Sequence, residues 1–559
     1  MGSRRPTGLR LLGRPTFGGL VLGLVFWWRS LTPTLMPRSV VSQALISALC
    51  LAIGYGFGTL AGAVGHRLLR RYDREPSPLR RRRAWLGLGV VAGIVVVAGL
   101  LLWGRWQNGQ RELVSLEPSS LWSALPMLVL TGVVTVVLVL TGRLIGKGAQ
   151  AVDRFNRRHL PPVLAAPLTV VLLVVLTVFV VRDVVVDRFA DWADSAYGAL
   201  DEGTNEGTEQ PDSPAVSGSP ESLVPWETLG VQGRDFVAQA TPEEALAAFW
   251  GEDGEVVEPV RVYVGLDSAA SSEARADLAV QDLERAGGFE REVLVVATTT
   301  GTGWVDPDAA EAIEQLHGGD TAIVAQQYSF LPSWIGALVE DDRASEAGTD
   351  LFEAVYREWS TQPEDDRPAL VVFGLSLGSF GAEAPFAGAD GEASVANILA
   401  RTDGALFVGG TYDNRILSQL TEERDEGSPV WRPVVDDGLS VRFVNRDPDA
   451  SDLGDWPEPR LLYIQHPSDP VTFVGPDAFW SPPEWMDQPR GFDVPDQGGW
   501  FPIVTGVQGV FDLMAGFAAP PGFGHDYRLD YVDGWAAVVP PEGWTEADTA
   551  RLESLLFED

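Results

Sequence analysis

The chain has 559 residues and a formal net charge of −36, split unevenly along its length: residues 1–182 carry 22 Lys+Arg against 5 Asp+Glu (+17), and residues 183–559 carry 19 against 72 (−53). So acidic a C-terminal part excludes nucleic acid as a partner, because that affinity rests on basic residues meeting phosphates. The single cysteine, Cys50, excludes an intramolecular disulfide, and none of the five histidines stands in a spacing that suits a metal, so no metal and no cofactor is expected.

Five apolar stretches come first, at about 15–28, 40–65, 84–104, 121–142 and 164–181. The last four have the roughly 20 residues that a bilayer crossing needs. The first is shorter, lies between Arg14 and Arg29, and is expected to be retained, since no small-residue cleavage site follows it. Loops on one side hold 4, 8 and 5 Lys+Arg (residues 1–14, 66–83 and 143–163), and the alternate loops hold 2 each. Basic loops stay cytoplasmic, which predicts a multi-pass protein of the cytoplasmic membrane with a cytoplasmic N-terminus and an extracytoplasmic C-terminal part. Gly54, Gly58 and Gly62 form a stripe suited to close helix packing. The apolar cores lack Asp, Glu, Lys and Arg, which disfavours ion or proton transport. The lipid bilayer is therefore the expected partner of this half, and the oligomeric state is left open.

Residues 183–225 are expected to be an acidic juxtamembrane segment and linker, with 200–222 rich in Gly, Ser, Pro and acid. From 226 to 559 strand-like and helix-like runs alternate. Strands are predicted at Val260–Gly265, Val293–Thr298, Thr321–Gln326, Ala369–Gly374, Ala405–Gly409 and Leu461–Gln465, and amphipathic helices at Glu273–Ala286 and Pro307–Leu316. Alternation of this kind predicts a mainly parallel sheet with helices on both faces.

The fourth predicted strand runs straight into Gly374-Leu375-Ser376-Leu377-Gly378. Gly-x-Ser-x-Gly arises by chance about 0.3 times in a chain this long and this glycine-rich, so its context carries the weight. After a strand the pattern can put the serine on a tight turn into a helix, with the hydroxyl exposed for attack. A serine needs an imidazole to take its proton and an acid to orient the imidazole. In the order serine, acid, histidine, the candidates are Ser376, Asp469 in QHPSDP just past a strand, and His525 in the glycine-flanked GFGHDY. His466 and His317 read as structural. An oxyanion requires backbone N–H donors; Leu377, after the serine, and Gly301 or Thr302, in the turn after VLVVAT, are the candidates. The aromatic stretch 470–501 suits either the wall of an apolar acyl pocket or packing under a long loop.

Several segments resemble an actinobacterial α/β-hydrolase family with an N-terminal membrane domain: SLTPTLMPR, IGYGFG, VPWETLGVQGRDFV, RVYVGL, TGTGWVDP, QQYSFLPSW, GLSLGS, YIQHPSDPV and GHDY. Leu375 departs from the glutamate usual there. The resemblance implies an α/β-hydrolase fold and a serine triad, and supplies no substrate. The expectation is a membrane-anchored serine hydrolase of the esterase, lipase or thioesterase kind, acting on an apolar or lipid-like envelope substrate. An acyltransferase to an envelope acceptor, or a non-catalytic scaffold, are the alternatives.

Overall fold

The computed structural model describes residues 15–72, 77–161, 200–251, 254–332, 341–446 and 456–557, with isolated positions between 164 and 198. Most of the predicted apolar stretch 164–181 lies outside the described residues. The chain divides into two compact units, residues 1–187 with 474–520, and residues 188–473 with 521–559. The sequence predicted a linear division at 182 and 225; the assignment of 474–520 to the first unit is a departure from it.

The first unit begins with α1 (Phe17–Ser30), α2 (Val40–Arg71), α3 (Pro78–Leu113) and α4 (Ala124–His159). The last three are long and apolar enough to cross a membrane, which points to membrane association. Helix α1 has 14 residues, about 21 Å at 1.5 Å per residue, short of the roughly 30 Å hydrocarbon core. The glycine stripe lets α1 and α2 touch backbone to backbone. A Cβ on Gly54 would come within 2.8 Å of Leu22 O and of the Phe26 ring, and one on Gly58 would strike the Gly18 carbonyl.

After α1 the chain turns inward, and Leu31, Thr32, Thr34, Leu35, Met36 and Arg38 are all buried. Here Arg38 Nε meets Asp512 Oδ1 at 3.2 Å, both side chains being 1% exposed. Thr34 Oγ1 donates to Asp512 Oδ2, and Gln508 Nε2 donates to Thr32 O at 2.9 Å. Asp512 and Gln508 belong to the helix Val504–Gly516. Segment 474–520 thus joins the first unit through a buried, hydrogen-bonded ion pair, a pairing between positions 474 residues apart that no local pattern reveals. Aromatic residues of 470–501 pack there too: Phe501 lies edge-on to Phe26 at 5.3 Å, and Trp485 is buried.

The second unit is built on seven parallel strands in the order β1-β3-β2-β4-β5-β7-β6. They are β1 (Val260–Val264), β2 (Val293–Thr298), β3 (Thr321–Gln326), β4 (Ala369–Leu375), β5 (Gly404–Val408), β6 (Val441–Val444) and β7 (Arg460–Ile464). Every residue of β1, β2, β3 and β5 is buried, as befits a parallel sheet covered on both faces. The covering helices include α5 (Ser272–Arg285), α6 (Pro307–Leu316), α7 (Asp341–Trp359), α8 (Leu377–Glu383) and α9 (Tyr531–Val538). Edge strand β6 escaped the sequence because VRFV is four residues long and only Val441 and Phe443 of it are buried.

The expected linker also differs over its C-terminal part. Val216 bridges to Arg261 of β1, and Ser217 N donates to Arg261 O at 2.9 Å. Ser217 Oγ, Ser222 Oγ and Leu223 N all donate to the buried Asp282 carboxylate, at 2.6, 3.0 and 2.8 Å. Small polar residues read as a tether by composition, yet one buried acid gathers their donors and fixes them.

Candidate active site

Strand β4 runs into Ser376, whose backbone has φ 57° and ψ −124°. A non-glycine residue holds such a conformation only when its surroundings impose it. They do: Ser376 N donates to Val408 O at 2.9 Å, and helix α8 starts at the next residue. The flanking glycines are steric requirements of this turn. A Cβ on Gly374 would come within 2.7 Å of Ser379 Cα, and one on Gly378 would collide with Thr298 O at the end of β2. The serine is 4% exposed.

Asp469 follows β7 and is fully buried. Its Oδ1 accepts from Val471 N at 2.8 Å, an Asx turn that fixes the carboxylate plane. Its Oδ2 faces His525 Nδ1 at 2.7 Å and also accepts from Tyr527 OH at 2.7 Å. His525 in turn lies against the end of β5, where a Cβ on Gly409 would come 3.0 Å from His525 Cε1. Strand register pairs Leu375 with Val408, so Ser376 and Gly409 are the next residues on adjacent strands. The structure therefore brings the predicted acid and imidazole into contact and sets the imidazole over the strand end beside the serine.

The predicted anion-stabilising turn, Thr300–Trp304, follows β2. Its internal bonds engage Gly303 N with Thr300 O at 2.7 Å and Thr300 N with Trp304 O at 2.9 Å. Gly303 has φ 91°, and its carbonyl accepts from Tyr263 OH at 2.7 Å. The N–H groups of Gly301, Thr302 and Leu377 take no acceptor among the described residues. These are the three donors that the sequence singled out.

Four supporting residues, Tyr527, Asp530, Ser468 and Glu383, went unassigned by sequence. Tyr527 is buried, and burial first, then the neighbouring Asp469, pushes its phenol well above the usual range, so it serves as a neutral donor. Asp530 Oδ2 lies 3.1 Å from His466 Nε2, while His466 Nδ1 lies 3.0 Å from Gly524 O. His466 also stacks on Tyr527 at 4.1 Å, and Ser468 Oγ accepts from Gly524 N at 2.9 Å. Through these contacts His466, read from the sequence as structural, braces the loop that carries His525. Behind the serine, Glu383 of α8 accepts from Asn414 Nδ2 and Tyr463 OH, both at 2.9 Å, and from Ile416 N at 2.8 Å.

A parallel sheet covered by helices, with a serine on a strained strand-to-helix turn and an acid–imidazole pair at neighbouring strand ends, defines the α/β-hydrolase class. The chain belongs to the alpha/beta-hydrolase family: the family model matches residues 260–552, and the model of the family's N-terminus matches residues 31–241. No curated protein and no solved structure matches the chain.

Proposed function

We propose that this protein is a membrane-anchored serine hydrolase of ester or thioester bonds. Ser376 Oγ attacks the acyl carbonyl, and His525 takes its proton and returns it to the leaving group. Asp469 orients the imidazole, with Tyr527 as a second donor to the acid. Leu377 N and an N–H of Gly301 or Thr302 bind the oxyanion. Water then releases the acyl group from Ser376 by the same steps. The observation that carries this reading is the 2.7 Å contact of His525 with buried Asp469, set at the strand end next to the forced turn of Ser376.

The three long apolar helices support anchoring in a membrane, and the distribution of Lys+Arg favours a catalytic unit outside the cytoplasmic membrane. An apolar or lipid-like envelope substrate fits that setting. The test is labelling of the purified full-length chain with a fluorophosphonate. Wild type is expected to label and Ser376→Ala to lose labelling; equal labelling of the two proteins overturns the proposal.

A further inference from the structure

Beyond the carboxyl ends of β1 and β3 lies a cavity of about 700 Å³. Ser272, Arg275 and Tyr328 form its buried floor, while Asp267, Arg343 and Glu346 stand exposed at its mouth. Arg275 is 7% exposed and is the floor's one guanidinium. Its Nη1 makes a long hydrogen bond to Ala269 O, at 3.3 Å. Its Nε is buried and has no acceptor among the described residues, nor does any described carboxylate form an ion pair with it. Burial draws the guanidinium below its ordinary range, an effect that Glu346 and Asp350 only partly offset and that Arg343 slightly reinforces. An arginine held this way leaves an unmet demand for an anion, since a buried charge is costly until it is paired.

The same floor contains the first turn of α5, a 14-residue helix. Ser271 Oγ caps Ala274 N at 3.2 Å, and Ser271 and Ser272 line the cavity, so the first turn of the helix borders it with the positive end of the helix dipole. Tyr328, also of the floor, shares one packed cluster with Leu377 and Phe380 of α8. The cavity therefore adjoins the turn that carries Ser376. In the order β1-β3-β2-β4 the ends of β3 and β1 lie two to three strands from that of β4, roughly 10–14 Å at about 4.8 Å per strand.

We propose that this cavity is a binding site for an anionic oxygen group, a carboxylate or a phosphate, carried by the molecule that Ser376 attacks. Arg275 supplies a planar fork for two oxygens, and the start of α5 supplies N–H donors. The exposed carboxylates at the mouth are screened by solvent and salt. The link to a substrate rests on the function proposed above; the anion site itself does not.

The site is tested on the full-length chain in neutral detergent by calorimetric titration with inorganic phosphate and, separately, with acetate. Wild type and Ser376→Ala are expected to saturate alike with at least one of these anions. Arg275→Gln should weaken that binding on the order of tenfold or more, the scale of a charged hydrogen bond, and Arg275→Lys should recover part of it. No saturable binding of either anion to wild type, or equal binding by Arg275→Gln, overturns the site whether or not Ser376 labels. The substrate link is read from two p-nitrophenyl esters, the decanoate and the sebacate monoester with its terminal carboxylate. Arg275→Gln should raise KM for the second by about tenfold and leave the first unchanged. Equal effects on both esters contradict the link. Hydrolysis of neither ester by wild type contradicts the Ser376 proposal instead, and the titrations still decide the anion site.

Discussion

Asp469 Oδ2 receives two donors, His525 Nδ1 and Tyr527 OH, each at 2.7 Å. The tyrosine holds the carboxylate against the imidazole and spreads its charge. Tyr527→Phe is therefore expected to lower kcat about tenfold, the worth of a hydrogen bond to a charged group, with KM little changed; steady-state kinetics on a neutral ester check this. Ser376, Asp469 and His525 were legible because the Gly-x-Ser-x-Gly pattern and strand ends are local signals. Tyr527 and Asp530 were not, since their partners lie 58 and 64 positions away and no spacing encodes a hydrogen bond that closes only in the fold. A second residue-scale consequence concerns Glu383, whose carboxyl burial pushes up to about 7 from 4.5, against the pull of its hydrogen bonds from Asn414 and Ile416 N. Between those values the folded chain keeps a proton that the unfolded chain releases. Stability is then greatest below pH 4.5 for this group and falls as pH rises to about 7. Asp306, raised to about 6 by burial, adds to the same slope. The melting temperature should decline across this window, and Glu383→Gln should flatten the decline; an unchanged slope contradicts the assignment.

At the scale of elements, six of the seven strands could be read from apolar runs, and α6 matched its predicted span because Asp306 caps it and Pro307 opens it. Segments whose order comes from polar contacts could not. The stretch SLTPTLMPR was recognisable as a motif, yet its role appears only with its partner, the Asp512 of a helix far along the chain. Arg38 also donates to Gln43 Oε1 at 3.4 Å, and Gln110 Nε2 donates to Thr34 O at 2.9 Å, so the cluster ties α2 and α3 to the turn after α1. Breaking a buried pair by removing one partner costs about 3–5 kcal/mol. Arg38→Ala should accordingly expose segment 474–520 to limited proteolysis in detergent at protease levels that wild type resists. Equal resistance would show that the pair does not hold the segment.

For the whole molecule, the division of charge between halves anticipated an apolar N-terminal region and an acidic sheet domain, but a linear reading of domains missed the crossing of the chain. Between Asp469 and His525 it leaves the second unit at 473, contributes 47 residues (474–520) to the first, and returns at 521. The acid and the imidazole thus flank the excursion in sequence and still meet at 2.7 Å, because Ser468, Gly524, His466 and Asp530 fasten the segments on either side of it together. On the function proposed above, this assembly makes Ser376 a nucleophile. The most direct measurement is peptide mass spectrometry of the full-length chain after brief fluorophosphonate exposure, in wild type and His525→Ala. The adduct is expected on the peptide containing Ser376 in wild type, and to form at least about 10³-fold more slowly without His525. An adduct on another residue, or equal rates in the two proteins, contradicts the account.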